Sequence, residues 1–397
     1  MYRRLTPARR SVPGASLRRF AARKNRGFRV HSPARLRFDS AMELTFRPFG
    51  LNLARRWTIA SRTGPGGGPG TDEFPVVLVR LRDADGTEGL GESAPSNRYA
   101  ENTSTVQAFL RRVDPARLSF ADVPGSLAYL DALSPGDAAA KCALDVALLD
   151  GAARRAGRLL HDHLGLGFRE GCHLTSFSIG LDTPDVIRRK TEEAAAYPVL
   201  KLKLGGDTDR ENLAALRAAA PAKPVRVDAN EAWKAREEAL RQLEWLAGDG
   251  HVQFVEQPMP AALPRADWEW LKARSPLPLM ADESYRTEAD LPAVRGCFHA
   301  VNVKLVKTGG VTRGLAALRA ARSAGLQTML GCMIETSVLI AAAAHLAELT
   351  DFLDLDGNLL ITNDPFHGPT ADRGVVSFAA ARGRTGLGVT ARGTGPF

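Results

Sequence analysis

A modified (β/α)8 barrel with an N-terminal α+β capping domain is the fold class this sequence predicts, on three observations. Beyond residue 168, short apolar strands alternate with helical segments, and eight such strands can be counted, at 173–180, 199–205, 224–230, 252–258, 277–284, 300–307, 327–333 and 352–357. Strict alternation implies parallel βαβ units, and eight strands favour closure over an open sheet. The third observation is chemical: acidic and lysine residues collect at the C-terminal ends of these strands, where barrels of this class place their sites.

The chain has 397 residues and a net charge of +9, but residues 1–41 hold eleven Arg, Lys24 and a single acid, Asp39. From 42 onward, 41 basic residues face 43 acidic ones, so the body of the protein is close to neutral. A basic arm without interleaved aromatics or a binding motif argues against a nucleic-acid partner. Pro7, Pro13, Gly14 and Pro33 interrupt any long amphipathic helix. Residues 1–41 are therefore expected to be a disordered or non-native extension ahead of a working protein that starts near Met42.

Residues 42–168 form the capping domain in this reading. Apolar runs at 43–49 and 76–81 bracket a stretch at 63–70 with five Gly in eight residues, and a turn follows at 83–86; together these read as a β meander. The Gly-rich stretch lacks the lysine and the following helix of a phosphate loop, so a mobile lid is expected there. Helical patterns follow at 102–114 and 137–156, and within the barrel domain, 169–365, at 210–220 and 234–246. Residues 366–397 are strand and turn in character and are expected to return to the capping domain. Cys142, Cys172, Cys297 and Cys332 lack paired metal spacing and are expected to be reduced, buried side chains. The longest apolar run, 338–346, is too short for a bilayer and contains His345. A soluble, cytoplasmic protein without a membrane partner is expected.

Lys201 and Lys203 share one face of the strand at 199–205, a costly pairing in a half-buried strand unless anions lie nearby. Only ten of the 53 basic residues are Lys, and lysine, unlike arginine, has a pKa that burial moves readily, which suits a base. The next three strands end in Val227-Asp-Ala-Asn230, Phe254-Val-Glu-Gln-Pro258 and Met280-Ala-Asp-Glu-Ser284. Asp228, Glu256 and Asp282 thus approach one another from consecutive strands. Three carboxylates do not share a dry pocket without a cation, and an all-oxygen set points to Mg²⁺, with Mn²⁺ as the alternative. Asn230 and Ser284 are expected just behind these ligands. Lys304 lies on the strand after the acids, across the barrel from Lys201 and Lys203. Lys307, an odd number of residues further on, is expected to face away.

In order and spacing, the Lys-x-Lys, Asp-x-Asn, Val-Glu-Gln-Pro, Ala-Asp-Glu-Ser and Asn-Val-Lys-Leu-x-Lys-x-Gly-Gly elements resemble the enolase superfamily, muconate lactonizing enzyme subgroup, over nearly everything from Met42 onward. The resemblance implies a TIM-type (β/α)7β barrel and a first step that removes the proton α to a carboxylate. Mg²⁺ on Asp228, Glu256 and Asp282 would stabilise the enediolate, Lys203 and Lys304 would be bases on the two faces of the α carbon, and Lys201 would stay protonated beside them. In the eighth strand, Asp354 and Asp356 stand at period 2 and resemble the Asp-x-Asp element of dipeptide epimerases of the L-Ala-D/L-Glu type, where the pair holds the α-ammonium.

A free amine justifies two further carboxylates beside an acidic site. The alternatives of the same superfamily are o-succinylbenzoate synthase and muconate cycloisomerase, whose substrates lack an amine, and N-acylamino acid racemase, whose substrate has it blocked. A non-catalytic binding protein on this scaffold would leave three ligand carboxylates and three lysines without a use. Arg62 is expected to pair with a side-chain carboxylate of the substrate, Asn97, Arg98 and Tyr99 to line the pocket, and Glu335 to hydrogen-bond a site lysine. The implied partner is a small-molecule dipeptide, and a homo-oligomer is expected because barrels of this kind commonly associate.

Overall fold

The computed structural model describes residues 42–60 and 70–397. The expectations for residues 1–41, for Arg62 and for the Gly-rich lid lie outside the described residues. Three antiparallel strands, β1 (Glu43–Trp57), β2 (Thr71–Arg82) and β3 (Glu88–Ser93), form a sheet in sequence order. In β2, Val76 to Val79 and Leu81 are all buried, so both faces of this strand are covered. The helices that follow are α1 (Thr103–Leu110), α2 (Val123–Leu133) and α3 (Ala138–Arg155). α1 stops short of the expected 114 because Pro115 holds Asp114 in extended backbone. α3 lies on β3 at backbone contact. A Cβ on Gly89 or Gly91 would come within 2.0 Å of Ala147 O or 1.9 Å of Ala143 O, so glycine facing alanine is what allows the approach.

The second sheet has eight parallel strands, β4 (Phe177–Ile179), β5 (Leu200–Lys203), β6 (Val225–Asp228), β7 (Val252–Glu256), β8 (Leu279–Ala281), β9 (Ala300–Lys304), β10 (Gln327–Gly331) and β11 (Phe352–Asp354). They lie side by side in that order, and a parallel bridge from Thr175 to Leu353 brings the last strand back to the first. All eight fall inside the ranges expected from the sequence.

Period 2 sorts the barrel interior into layers. Phe254, Met280, Ala300 and Met329 form an apolar floor, with Phe352 packed against them. Arg226 lies buried over this floor, its guanidinium 5.7 and 5.0 Å from the Phe254 and Phe352 ring centroids, donating to Leu353 O at 2.6 Å. Two residues further along the same strands come Asp228, Glu256, Asp282, Asn302 and Asp354. The polar layer thus sits on a closed base.

β3 also reaches the barrel's helices. Glu92 is buried and accepts Thr336 N–H at 2.9 Å and the Thr336 hydroxyl at 2.5 Å, which caps helix Ser337–Ala344. In the C-terminal segment, Thr370–Asp372 pairs with Val375–Ser377 and Phe366–His367 with Thr390–Ala391. Residues 386–389 form a turn with Gly386 and Gly388 at positive φ, whose Leu387 N–H meets Asp150 of α3 at 2.7 Å. The four cysteines are free. Cys172, expected to be buried, is exposed because it falls in a turn after Gly171. No helix among the described residues is long and apolar enough to cross a membrane.

A buried histidine pair predicts a fold that loses stability in acid. The Nδ1 atoms of His161 and His345 are 2.8 Å apart, and the His345 ring stacks on Phe378 with its Nε2 3.2 Å from Leu387 O. Burial lowers the pKa of both imidazoles; His161 adds to the effect at His345, while Asp162, Glu170 and Glu348 oppose it at His161. The unfolded chain takes up protons near pH 6.5 that the fold resists. The pair's contribution is therefore present above about pH 6.5 and declines as pH falls, by at most about 1.4 kcal/mol per pH unit for each ring. Relative to wild type, His345→Phe is expected to flatten the fall in Tm between about pH 6.5 and 5, measured by thermal denaturation.

Candidate active site

Strand register assembles the site. It sets Lys203, Asp228 and Glu256 side by side across β5, β6 and β7, and Lys304, Gly331 and Asp354 side by side across β9, β10 and β11. The two arcs face each other across a cavity of about 670 Å³, lined by Lys201, Lys203, Asp282, Lys304, Asp354 and Asp356 among others. Gly331 leaves the second arc open. A Cβ there would lie 2.5 Å from Asn302 Oδ1 and disturb the bond that Asn302 Nδ2 donates to Glu256 Oε1 at 2.7 Å.

Asp228, Glu256 and Asp282 are buried, and each offers an oxygen within 4.8 Å of the other two. Burial pushes the Glu256 carboxyl up to about 7, with Asp228 adding to the rise and Lys201 opposing it. Burial also acts against charge on the two aspartates, but it is outweighed. Lys203 and Lys201 hold Asp228 low, and Lys304 and Lys307 hold Asp282 well below the usual carboxylate range. Three carboxylates so close, all oxygen donors with nearby cavity space, fit a hard divalent cation.

Each lysine is committed to these acids. Lys201 is 1% exposed, its Nζ 2.7 Å from both Asp354 Oδ2 and Glu256 Oε2 and 3.1 Å from Asp228 Oδ2. Burial would lower its pKa, but the three carboxylates outweigh that and keep it well above the ordinary lysine value. Lys203 Nζ lies 2.6 Å from Asp228 Oδ2, and Lys304 Nζ lies 2.8 Å from Asp282 Oδ2 on the other side.

Two expectations need correction. Lys307 does not face away: the strand ends at Lys304, Leu305–Thr308 is a helical turn, and the Lys307 ammonium swings back to Asp282 Oδ1 at 2.5 Å. Glu335 makes no bond to a lysine among the described residues. It accepts Met333 N–H at 2.8 Å, and burial, with Glu92 nearby, pushes it up to about 8. Asn230 and Ser284 are tied to the acids by short hydrogen-bond paths. Asn230, at φ 43, turns its N–H onto Asp228 Oδ1 at 2.9 Å, and Ser284 Oγ accepts from Gln257 Nε2 at 2.9 Å while Gln257 Oε1 takes the Asp282 N–H at 3.0 Å.

Asp354 and Asp356 are buried at the cavity wall in different company. Asp354 is bonded to Lys201 and to Ser176 Oγ, both at 2.7 Å, and Lys201 outweighs burial to lower its pKa. Asp356 takes the Ser178 N–H at 2.6 Å and has no cationic partner among the described residues. Burial and Asp354 push it up to about 7.

Asn97, Arg98 and Tyr99 line the cavity from the capping side. Arg98 Nε and Nη2 each donate to Glu231 at 2.8 Å, and Arg286 sits 4.9 Å from the Tyr99 ring centroid, so the turn is pinned to the barrel. Glu231 escaped the sequence reading because its outward aim depends on a left-handed backbone, φ 65. Arg98→Ala is expected to raise KM roughly threefold to tenfold with a smaller change in kcat, the size of a part-exposed pair worth about 1 kcal/mol. Steady-state kinetics checks this.

Two family profiles match the chain: Mandelate racemase / muconate lactonizing enzyme, N-terminal domain, over residues 70–165, and Enolase C-terminal domain-like, over 186–393. An L-Ala-D/L-amino acid epimerase from Pedosphaera parvula is 56% identical over 351 residues, 88% of this chain and 100% of that protein. The substrate-liganded L-Ala-D/L-Glu epimerase from Bacillus subtilis superposes with a TM-score of 0.81 at 26% identity, over 88% of this chain and 99% of its own. A dipeptide epimerase from Enterococcus faecalis, complexed with Mg and the dipeptide L-Leu-L-Tyr, gives a TM-score of 0.78 at 25% identity, again over 88% and 99%. With both halves of the chain matched and a relative of this identity over its full length, the protein belongs to the mandelate racemase / muconate lactonizing enzyme family of the enolase superfamily.

Proposed function

We propose that the protein is a Mg²⁺-dependent dipeptide epimerase of the L-Ala-D/L-Glu type, inverting the α carbon of the C-terminal residue of a dipeptide by 1,1-proton transfer through an enediolate. The observation that carries this reading is the placement of Lys203 and Lys304 on opposite arcs of one cavity, with the Asp228, Glu256 and Asp282 group between them. The relatives support the substrate class. A divalent cation on the three carboxylates would bind the substrate carboxylate and offset the second negative charge of the enediolate. Lys203 removes the α-proton of one epimer and Lys304 supplies a proton to the opposite face; for the other epimer the roles reverse. Lys201, clamped by three acids, stays protonated and adds positive charge beneath the reacting carbon.

Asp356 is the principal acceptor for the substrate ammonium, because it has no cationic partner among the described residues, whereas Asp354 already bonds Lys201. A charge-assisted bond of this kind contributes about 1.5 to 3 kcal/mol. Asp356→Asn is therefore expected to raise KM for dipeptides by up to about 10²-fold, with the cation and lysines intact. N-acetylating the substrate should cost wild type a similar factor and cost the variant little, a comparison read from kcat/KM.

The function itself is tested by incubating a dipeptide panel in deuterated buffer and reading the products by mass. One deuteron at the α carbon of the C-terminal residue is expected. Better turnover of N-acyl amino acids or of o-succinylbenzoate precursors than of any free dipeptide would replace the epimerase reading.

A further inference from the structure

We infer that Lys307 is a positioning residue that fixes the Asp282 carboxylate for the cation, while Lys304, on the other oxygen of the same carboxylate, is left free to move toward the substrate. This rests on the cation reading of Asp228, Glu256 and Asp282. Lys307 Nζ lies 2.5 Å from Asp282 Oδ1, 2.6 Å from Asp282 O, and 3.2 Å from both Tyr285 O and Asn302 O. An ammonium has three N–H donors, so four acceptors saturate it. Its side chain is 0% exposed. It is enclosed by backbone and has no proton to deliver. Lys304 Nζ makes one hydrogen bond among the described residues, to Asp282 Oδ2 at 2.8 Å, and lines the cavity.

A buried ammonium carries a desolvation cost that only good partners offset, so its bonds indicate its use. They join the end of β8, the turn at Tyr285 and the backbone of β9 at Asn302, whose side chain in turn holds Glu256 Oε1 at 2.7 Å. Two of the three carboxylates are thereby set relative to each other through one lysine.

Coulomb's law alone makes the opposite prediction. A positive charge beside a ligand carboxylate repels an incoming cation, so deleting it should tighten binding. Deleting a group that orients a ligand should loosen binding, typically by about 10- to 100-fold. The sign decides. Mg²⁺ is titrated calorimetrically into metal-free wild type, Lys307→Met and Lys304→Met. The Mg²⁺ Kd is expected to rise about 10- to 100-fold in Lys307→Met and to stay level or fall in Lys304→Met. A Kd in Lys307→Met equal to or below wild type overturns the inference, as does an equal rise in Lys304→Met. Should the methionine variant not fold, Lys307→Gln, which keeps two donors without the charge, is expected to show a smaller rise, and a Kd at or below wild type overturns the inference there too. If wild type takes up no Mg²⁺, the cation reading itself fails, a result distinguishable from these.

Discussion

Lys203→Ala and Lys304→Ala should each abolish epimerisation, by about 10² to 10⁴-fold, the range of a general base, yet each should leave half of the reaction running. With Lys203 gone, Lys304 still faces one side of the α carbon and should exchange the proton of one epimer with solvent; with Lys304 gone, the other epimer exchanges. Proton NMR in deuterated buffer, run separately from each pure epimer, separates the half-reactions, while chiral analysis of the product follows inversion. Lys201→Ala should lose both half-reactions and should also lose stability, because Asp354, Glu256 and Asp228 are left without the ammonium they share. Breaking a buried pair from one side costs about 3 to 5 kcal/mol. Normal inversion by Lys304→Ala would overturn the assignment of bases.

The strands and their terminal acids were legible for one reason. Parity along a strand fixes the face, and register then fixes the neighbours, so Lys201 and Lys203, Asp228, Glu256, Asp282 and Lys304 could be placed from spacing alone. The same rule extended to Asn302, two residues before Lys304, and to Arg226, two before Asp228, gives two inward polar residues that the spacing signalled and the chemistry did not call for. Parity failed at Lys307 because it assumes the strand continues, whereas Leu305 starts a helical turn. It failed at Glu335 because β10 ends at Gly331 and the chain turns back on itself, so the carboxylate meets its own backbone. The unequal surroundings of Asp354 and Asp356 were not legible either, since they depend on which acid Lys201 reaches inside the barrel.

Glu256→Gln and Asp282→Asn should each remove Mg²⁺ binding and reduce turnover by at least about 10³-fold, because substrate anchoring and enediolate stabilisation are lost together. Five carboxylates, Asp228, Glu256, Asp282, Asp354 and Asp356, are buried with four lysines, Lys201, Lys203, Lys304 and Lys307. Fully ionised, that set is one negative charge from balance. Removal of the α-proton by a site lysine moves charge within this set without changing its total, so a dication there would act by stabilising the negative charge where it develops on the enediolate. Glu256→Gln replaces a buried acid already pushed up to about 7 by a neutral isostere, and Lys201 keeps Asp354 and Asp228 as partners. The variant should therefore fold. In chelator its Tm is expected to lie close to that of wild type. With Mg²⁺ at 100 times Kd, wild type should gain about 2.7 kcal/mol of stability by linkage and Glu256→Gln should gain nothing. A Mg²⁺-dependent rise in Tm in the variant, accompanied by normal turnover, would remove Glu256 from the cation site.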